Sequence, residues 1–440
     1  MYDSGEGFKQ DYGEAVKWYK LAAAQGEADA QFYLGRMYAE GRGIKQDYVE
    51  AFRLFGLAAT AGHARAQSNL GVLYAEGRGA TKDYTEAFRW SRLAAAAGIS
   101  GAQCNIGRMY YNGEGITRDY AEAVKWYRLA ALQGDARAQY NLGRMYYEGR
   151  GTKQDYAEAV KWNKLAAAQG NARAQYDLGV MYYEGQGVTQ DYAEAFKWSR
   201  LAAAQGDAEA QYNLGVLYDK GEGVTQDYAK AVKWYKLAAA QGDARAQYNL
   251  GVLYDYGQGV TQDCAEAVKW YRLAAAQGDL AAQRNLGRRY YDGQGVTQDY
   301  AEAIKWYRLA AAEGDAAAQR NLGRMYYDGH GAKQDYIEAV KWYRLAAAQR
   351  DAQAQCSLGR MYAAGRGVKQ DYVRAHMWFN LAGALGDGDA VKMRDIIAAK
   401  MPPWKITEAQ RRARECQQRN FEDFESSWTS RILAMISGVG

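Results

Sequence analysis

Between Asp135 and Gly170, apolar side chains fall on two helical faces separated by a glycine-rich break. Ala138, Leu142, Met145 and Tyr146 share one face and predict a first helix of about twelve residues. Gly149-Arg150-Gly151 ends it, and Ala159, Trp162, Ala166 and Ala167 form the apolar face of a second helix. Asp135, directly after Gly134, reads as the N-cap of the first helix. Asp155 and Glu158 have the Asp-x-x-Glu spacing of a capping box at the start of the second, and Gly170 stops it. No stretch alternates β-branched and polar residues, so strands are not expected.

This helix pair recurs every 36 residues without insertion or deletion, with an aspartate at all eleven expected positions from Asp11 to Asp371. A fixed period of this size marks a repeat architecture. The Gly143 column is glycine in ten copies, Gly35 to Gly359. Glycine inside a helix costs roughly 1 kcal/mol relative to alanine, so its recurrence predicts a close helix–helix approach. Alanine fills the Ala159 column in all eleven copies, and tryptophan fills the Trp162 column in ten, with Leu54 the exception. Each Trp is expected between its own pair and the next. A single hairpin cannot bury its apolar face, whereas stacked hairpins can. The fold class expected is all-α, a solenoid of about eleven 36-residue helix pairs.

Composition narrows the picture. The chain has 38 Tyr and 12 Trp, which sets it apart from disordered sequences. With 49 Gly against 2 Pro, glycine punctuates helices rather than building a flexible linker. Lys and Arg number 56 and Asp and Glu 51, a balance too even to indicate nucleic acid. Cys104, Cys264, Cys356 and Cys416 lie too far apart along a solenoid to pair, and are read as free thiols.

The string Gln139-Tyr140-Asn141-Leu142-Gly143-Arg144-Met145-Tyr146, then Gly149-x-Gly151, Asp155-Tyr156-Ala157-Glu158-Ala159-Val160-Lys161-Trp162 and Leu165-Ala166-Ala167, resembles the Sel-one-like (SLR) repeat family. That family is related to tetratricopeptide (TPR) repeats. The resemblance covers roughly residues 1–390. It implies a right-handed α/α superhelix, a scaffold or adaptor role in protein–protein interaction, and a family with many bacterial, often exported, members. Cysteine-rich secreted relatives carry a disulfide in each repeat, and this chain lacks those pairs.

The residues give little chemistry for catalysis. No Ser has Lys three positions later, as a serine β-lactamase needs. His63, His330 and His376 occupy three different columns. The Gly-x-Gly loops follow helices and lack the ending of a phosphate-binding loop. The expectation is a non-enzymatic protein without cofactor or metal. β-Lactamase-like or other hydrolase activity, and polyanion binding through a basic outer ridge, are the alternatives. The ridge consists of pairs such as Lys125 and Arg128 or Lys161 and Lys164. The first lysine of each lies three residues after a glutamate, so ion pairs are expected to discharge it. The second is favoured by the helix dipole.

By analogy with tetratricopeptide repeats, the first helix of each pair lines a concave groove, facing it with the columns of Arg137, Tyr140, Asn141, Arg144, Tyr147 and Glu148. Asn141, Asn213, Asn249, Asn285 and Asn321 share one column, with Asp177 substituting once. Two readings stand for it: hydrogen bonding to a bound peptide, or hydrogen bonding between repeats. The Arg144 column reads Val at Val180, Val216 and Val252, beside Tyr176, Tyr212 and Tyr248. It turns to Arg at Arg288, Arg324 and Arg360, beside Arg284 and Arg320, with Arg289 adding another. An apolar middle and a basic final third are therefore expected, suited to a segment carrying acidic residues.

The ends depart from the pattern. Tyr2 aligns with Tyr110, so the chain begins mid-repeat, and an uncovered face around Ala15, Trp18 and Ala22 suggests self-association through the N-terminal repeat. After Ala390 the Gly and Tyr columns stop, and Asp395 takes a glycine position. Residues 391–440 are expected to cap the solenoid, with Ile406 to Arg419 as a charged amphipathic helix and a tail, 428–440, packed on the last repeat. No transmembrane segment or signal peptide is read, which with unpaired cysteines points to the cytoplasm, or to export if the N-terminus is truncated.

Overall fold

The computed structural model describes residues 11–418; the starting residues and the 428–440 tail lie outside them. The described residues form 23 helices and no strand. By internal contacts the chain falls into two units, residues 1–226 and 227–440. The first unit holds α1 (Tyr12–Ala24), α2 (Ala28–Glu40), α3 (Tyr48–Thr60), α4 (Ala64–Glu76), α5 (Tyr84–Ala96), α6 (Ser100–Asn112), α7 (Tyr120–Leu132), α8 (Ala136–Glu148), α9 (Tyr156–Ala168), α10 (Ala172–Glu184), α11 (Tyr192–Ala204) and α12 (Ala208–Lys220). The second holds α13 (Tyr228–Ala240), α14 (Ala244–Tyr256), α15 (Cys264–Ala276), α16 (Leu280–Asp292), α17 (Tyr300–Ala312), α18 (Ala316–Asp328), α19 (Tyr336–Ala348), α20 (Ala352–Ala364), α21 (Tyr372–Ala384), α22 (Gly388–Ala398) and α23 (Pro403–Gln418). Within each unit consecutive helices pack on one another as in a solenoid.

The caps follow the sequence. Asp135 accepts from the backbone N–H groups of Arg137 and Ala138, both at 3.0 Å, and Asp155 accepts from that of Glu158 at 3.0 Å. Glu158 does not reciprocate as a full capping box would. Its carboxylate instead holds Lys161 at 3.1 Å. Gly149 ends α8 in the left-handed region, φ 68°, and its loop turns back as Asp155 N–H donates to the Tyr146 carbonyl at 2.9 Å.

Two glycine columns set the stacking. A Cβ on Gly143 would lie 2.7 Å from Asn163 Oδ1, and one on Gly251 2.5 Å from the Tyr271 ring, so glycine lets the following helix approach. Gly151 does more than turn the loop. A Cβ there would lie 2.2 Å from the carbonyl oxygen of Tyr120, in the preceding helix pair. The same seat recurs at Gly79 on Tyr48 and Gly295 on Cys264.

Ala138, Leu142, Met145, Ala159 and Ala166 are buried as expected, and Trp90, Trp162, Trp342 and Trp378 are buried in the stack. Trp18 is 59% exposed and Ala15 buried, so of the expected N-terminal face only its tryptophan is open. At the C-terminal end α23 packs on α21, with Ala413 and Cys416 in the core beside Phe379 and Ile397. All four cysteines are free thiols.

Candidate binding cleft

In the second unit, α16, α18 and α20 present the same helix face in succession and open two adjoining cavities. One, of about 380 Å³, is lined by Arg284, Asn285, Arg288, Arg320, Asn321 and Arg324, with Tyr291, Tyr307 and Asp292. The next, of about 480 Å³, shares Arg320, Asn321 and Arg324 and adds Gln353, Cys356, Ser357 and Arg360, with Asp387 and Asp389 at its end. The arginine block of the sequence is thus gathered into one cleft. Tyr248 and Asn249, on α14, are half-buried outside both cavities. In the first unit Tyr140, Asn141, Arg144, Tyr176, Tyr212, Asn213 and Val216 are all half-buried.

The charge of the cleft is more balanced than the arginines alone suggest. Arg284 pairs with Asp315, and Arg320 with Asp351 at 2.7 Å; both acids are N-caps of the following helix in the stack. Arg288 pairs with Asp292 at 3.3 Å and Arg324 with Asp328 at 3.4 Å, four residues on in each case. Four residues after Arg360 stands Ala364, and Arg360 has no carboxylate partner among the described residues. It is the cleft's one arginine left open to an incoming acid.

Arg289 lies elsewhere. It occupies the core column of Met145 and Met325, its side chain 12% exposed, and pairs with Asp255, whose side chain is 3% exposed. Tyr271 adds a hydrogen bond to the same Asp255 oxygen at 2.9 Å. The expectation that Arg289 adds to the basic groove is corrected: the arginine is spent on a buried ion pair between successive helix pairs. In the sequence its trace is Arg289 in a column otherwise Met or Leu; Asp255 shares its own column with Asp219, which has Leu253 in place of an arginine.

In the asparagine column, Asn141 opposes in small part the burial that raises the pKa of Cys104, Asn285 that which raises Tyr248 and Asn321 that which raises Tyr307. Asp177, the acid of that column, is largely desolvated, which pushes its pKa up to about 7 against the opposing pull of Arg173 and Arg144. Burial pushes the Cys104 thiol up to about 12 and raises Cys356 as well, with Arg360 opposing the latter. On the outer ridge, Lys125 pairs with Glu122, Lys161 with Glu158 and Lys197 with Glu194, as the spacing predicts. The second cation of each ridge pair serves its neighbour: Arg128 donates to the Tyr146 hydroxyl, and Lys164 lies 5.3 Å from the centre of the Tyr182 ring. Among the described residues no group of His, Cys, Asp and Glu is placed to hold a metal, and no helix is long and apolar enough to cross a membrane.

Stacked helix pairs with glycine seats, aspartate caps and a polar cleft across successive first helices define an α-solenoid repeat protein of the tetratricopeptide type. The Sel1 repeat model matches residues 1–27, 28–63, 64–99, 100–135, 136–171, 172–207, 208–243, 244–279, 280–315, 316–351 and 352–387. The chain belongs to the Sel1 repeat family. It is similar to c5321, described as a protective antigen present in uropathogenic Escherichia coli strains and displaying an SLR fold, with 36% identity over 100% of this chain and 92% of that one, at a TM-score of 0.87. A Sel1 repeat protein from Oxalobacter formigenes is 35% identical over 70% of this chain and 89% of its own, at a TM-score of 0.52. A search of curated proteins finds no match. Members of the family are generally protein–protein interaction scaffolds and typically non-catalytic.

Proposed function

We propose that this protein is a non-enzymatic adaptor that takes an extended or helical segment of a partner protein across the cleft of α16, α18 and α20. The observation that carries the reading is the continuity of the two cavities through Arg320, Asn321 and Arg324, which gives a polar trough longer than any single repeat. An acidic residue of the segment docks at Arg360. Arg288 and Arg324, each already holding an aspartate, contribute through their remaining donors. Arg360 is exposed and holds no carboxylate of its own, so a partner's acid displaces no existing ion pair there and Arg360 is the anchor.

The test is capture of partners from the native cell by wild type, by Arg360→Glu and by the ridge variant Lys161→Glu/Lys197→Glu. Arg360→Glu should lose at least tenfold of the captured partner, with circular dichroism unchanged, and the ridge variant should keep it. Loss in the ridge variant with retention in Arg360→Glu would place binding on the outer face and overturn this reading.

A further inference from the structure

Two changes of residue fall together at the end of the cleft. In the copies before it, the charges are closed in a fixed way. Asp315 caps α18 through Oδ1 and pairs with Arg284 through Oδ2, and Asp351 caps α20 through Oδ1 and pairs with Arg320 through Oδ2. Arg288 and Arg324 each hold the aspartate four residues on. One copy further along, both kinds of partner are replaced. Cys356 stands in the column of Arg284 and Arg320, and Ala364 in that of Asp292 and Asp328. Asp387 still caps α22, its Oδ1 accepting from the Ala390 N–H at 2.9 Å, but its Oδ2 has no partner among the described residues. Arg360 has no carboxylate partner among them either.

The two unpaired charges line the same cavity of about 480 Å³, and no ion pair joins them. Burial raises the pKa of the Cys356 thiol; Arg360 opposes that rise and Asp387 adds to it, so both charges act on one side chain. Asp389, the other acid of this cavity, is held by Lys392 at 3.5 Å. Among the described residues, the end of the cleft thus presents an open cation and an open anion beside a stretch whose charges are already paired. An acid arriving at Arg360 displaces no existing pair, and neither does a base arriving at Asp387. A segment carrying acids alone sets one of them against Asp387, and that repulsion selects against it.

We propose that the end of the cleft recognises a segment of a partner protein carrying an acidic and a basic side chain together, the acid on Arg360 and the base on Asp387. This rests on the cleft being the segment-binding site, and it adds a basic residue that the arginines alone do not call for.

The test is selection of a random peptide phage library on the full chain, for wild type, Asp387→Asn and Arg360→Val. Both changes have precedents in other copies, so the fold is kept. Asn171 caps α10 from the column of Asp387, and Val180, Val216 and Val252 occupy the column of Arg360. Wild type should enrich peptides that carry both an acid and a base. Titration calorimetry with the best of these, made synthetically, should show affinity lower by on the order of tenfold in either variant. Replacing the peptide's base by glutamine should weaken binding to wild type by a similar factor and have no further effect on Asp387→Asn. Peptides of one charge sign that are indifferent to one of the two changes overturn the inference while leaving the cleft as the binding site. Enrichment of no peptide, or of peptides indifferent to both changes, overturns the inference and the cleft together.

Discussion

Gln169 donates its side-chain N–H to the amide oxygen of Gln139, 2.8 Å away and thirty residues earlier. Gln139 in turn donates to the Ala131 carbonyl at 3.1 Å. The same relay joins Gln205 to Gln175, and in the second unit Gln277 to Gln247 and Gln349 to Gln319. Where it forms, it ties a helix pair to the one before it through a buried amide.

The relay fails where its donor column changes. Glu313 and Leu385 stand in the donor positions for Gln283 and Gln355, and the amide oxygens of those two glutamines are buried without a partner. Glu313→Gln should therefore stabilise the second unit by about 0.5–1.5 kcal/mol, and Gln349→Ala should destabilise it by about 1–3 kcal/mol, because it leaves Gln319 in the same unsatisfied state. Urea unfolding of the two variants beside wild type checks both signs.

The buried pair of Arg289 and Asp255 makes a prediction about coupling. Arg289→Met restores the usual core residue but strands a desolvated carboxylate, and should cost about 3–5 kcal/mol. Arg289→Met with Asp255→Tyr restores both columns together and should recover most of that loss. A double-mutant cycle by urea unfolding measures it, and simple additivity of the two single changes would contradict the account.

Asp177 ties stability to pH. Its folded pKa, about 7, lies above the ordinary aspartate value of 3.8, so between those values the folded chain holds a proton that the unfolded chain releases. The carboxyl's contribution is fully present below pH 3.8 and is lost as pH rises through 7. Asp177→Asn restores the residue of its column and removes this loss. The variant should exceed wild type by on the order of 1–3 kcal/mol at pH 8, with the gap closing toward pH 4. Thermal melts at the two pH values, in matched ionic strength, give the comparison.

These positions show what could be read from the sequence. The helix pairs, their caps and the packing glycines were legible because each is a local rule repeated in register, and the arginine block did fall into one cleft. The charge state of that cleft was not legible. Asp315 and Asp351 stand in the column of Asp135, read from the sequence as an N-cap, and in the structure each also accepts from an arginine of the preceding first helix, Arg284 and Arg320. Periodicity assigns a residue its column but not its second partner. Arg289 shows the same limit: a change of chemistry inside an apolar column marks a buried pair, and only the fold brings Asp255 to it.

The seat of Gly151 against the Tyr120 carbonyl has a consequence for how such a chain changes over generations. The contact spans a fixed length of polypeptide, as do the equivalent seats of Gly79 and Gly295. Unequal recombination that adds or removes whole copies leaves every carbonyl opposite a glycine. A gain or loss of any other length sets a side chain against a backbone it cannot clear. The geometry of one loop therefore acts as a ruler on the gene, letting the array lengthen or shorten in complete copies while rejecting most other changes of length.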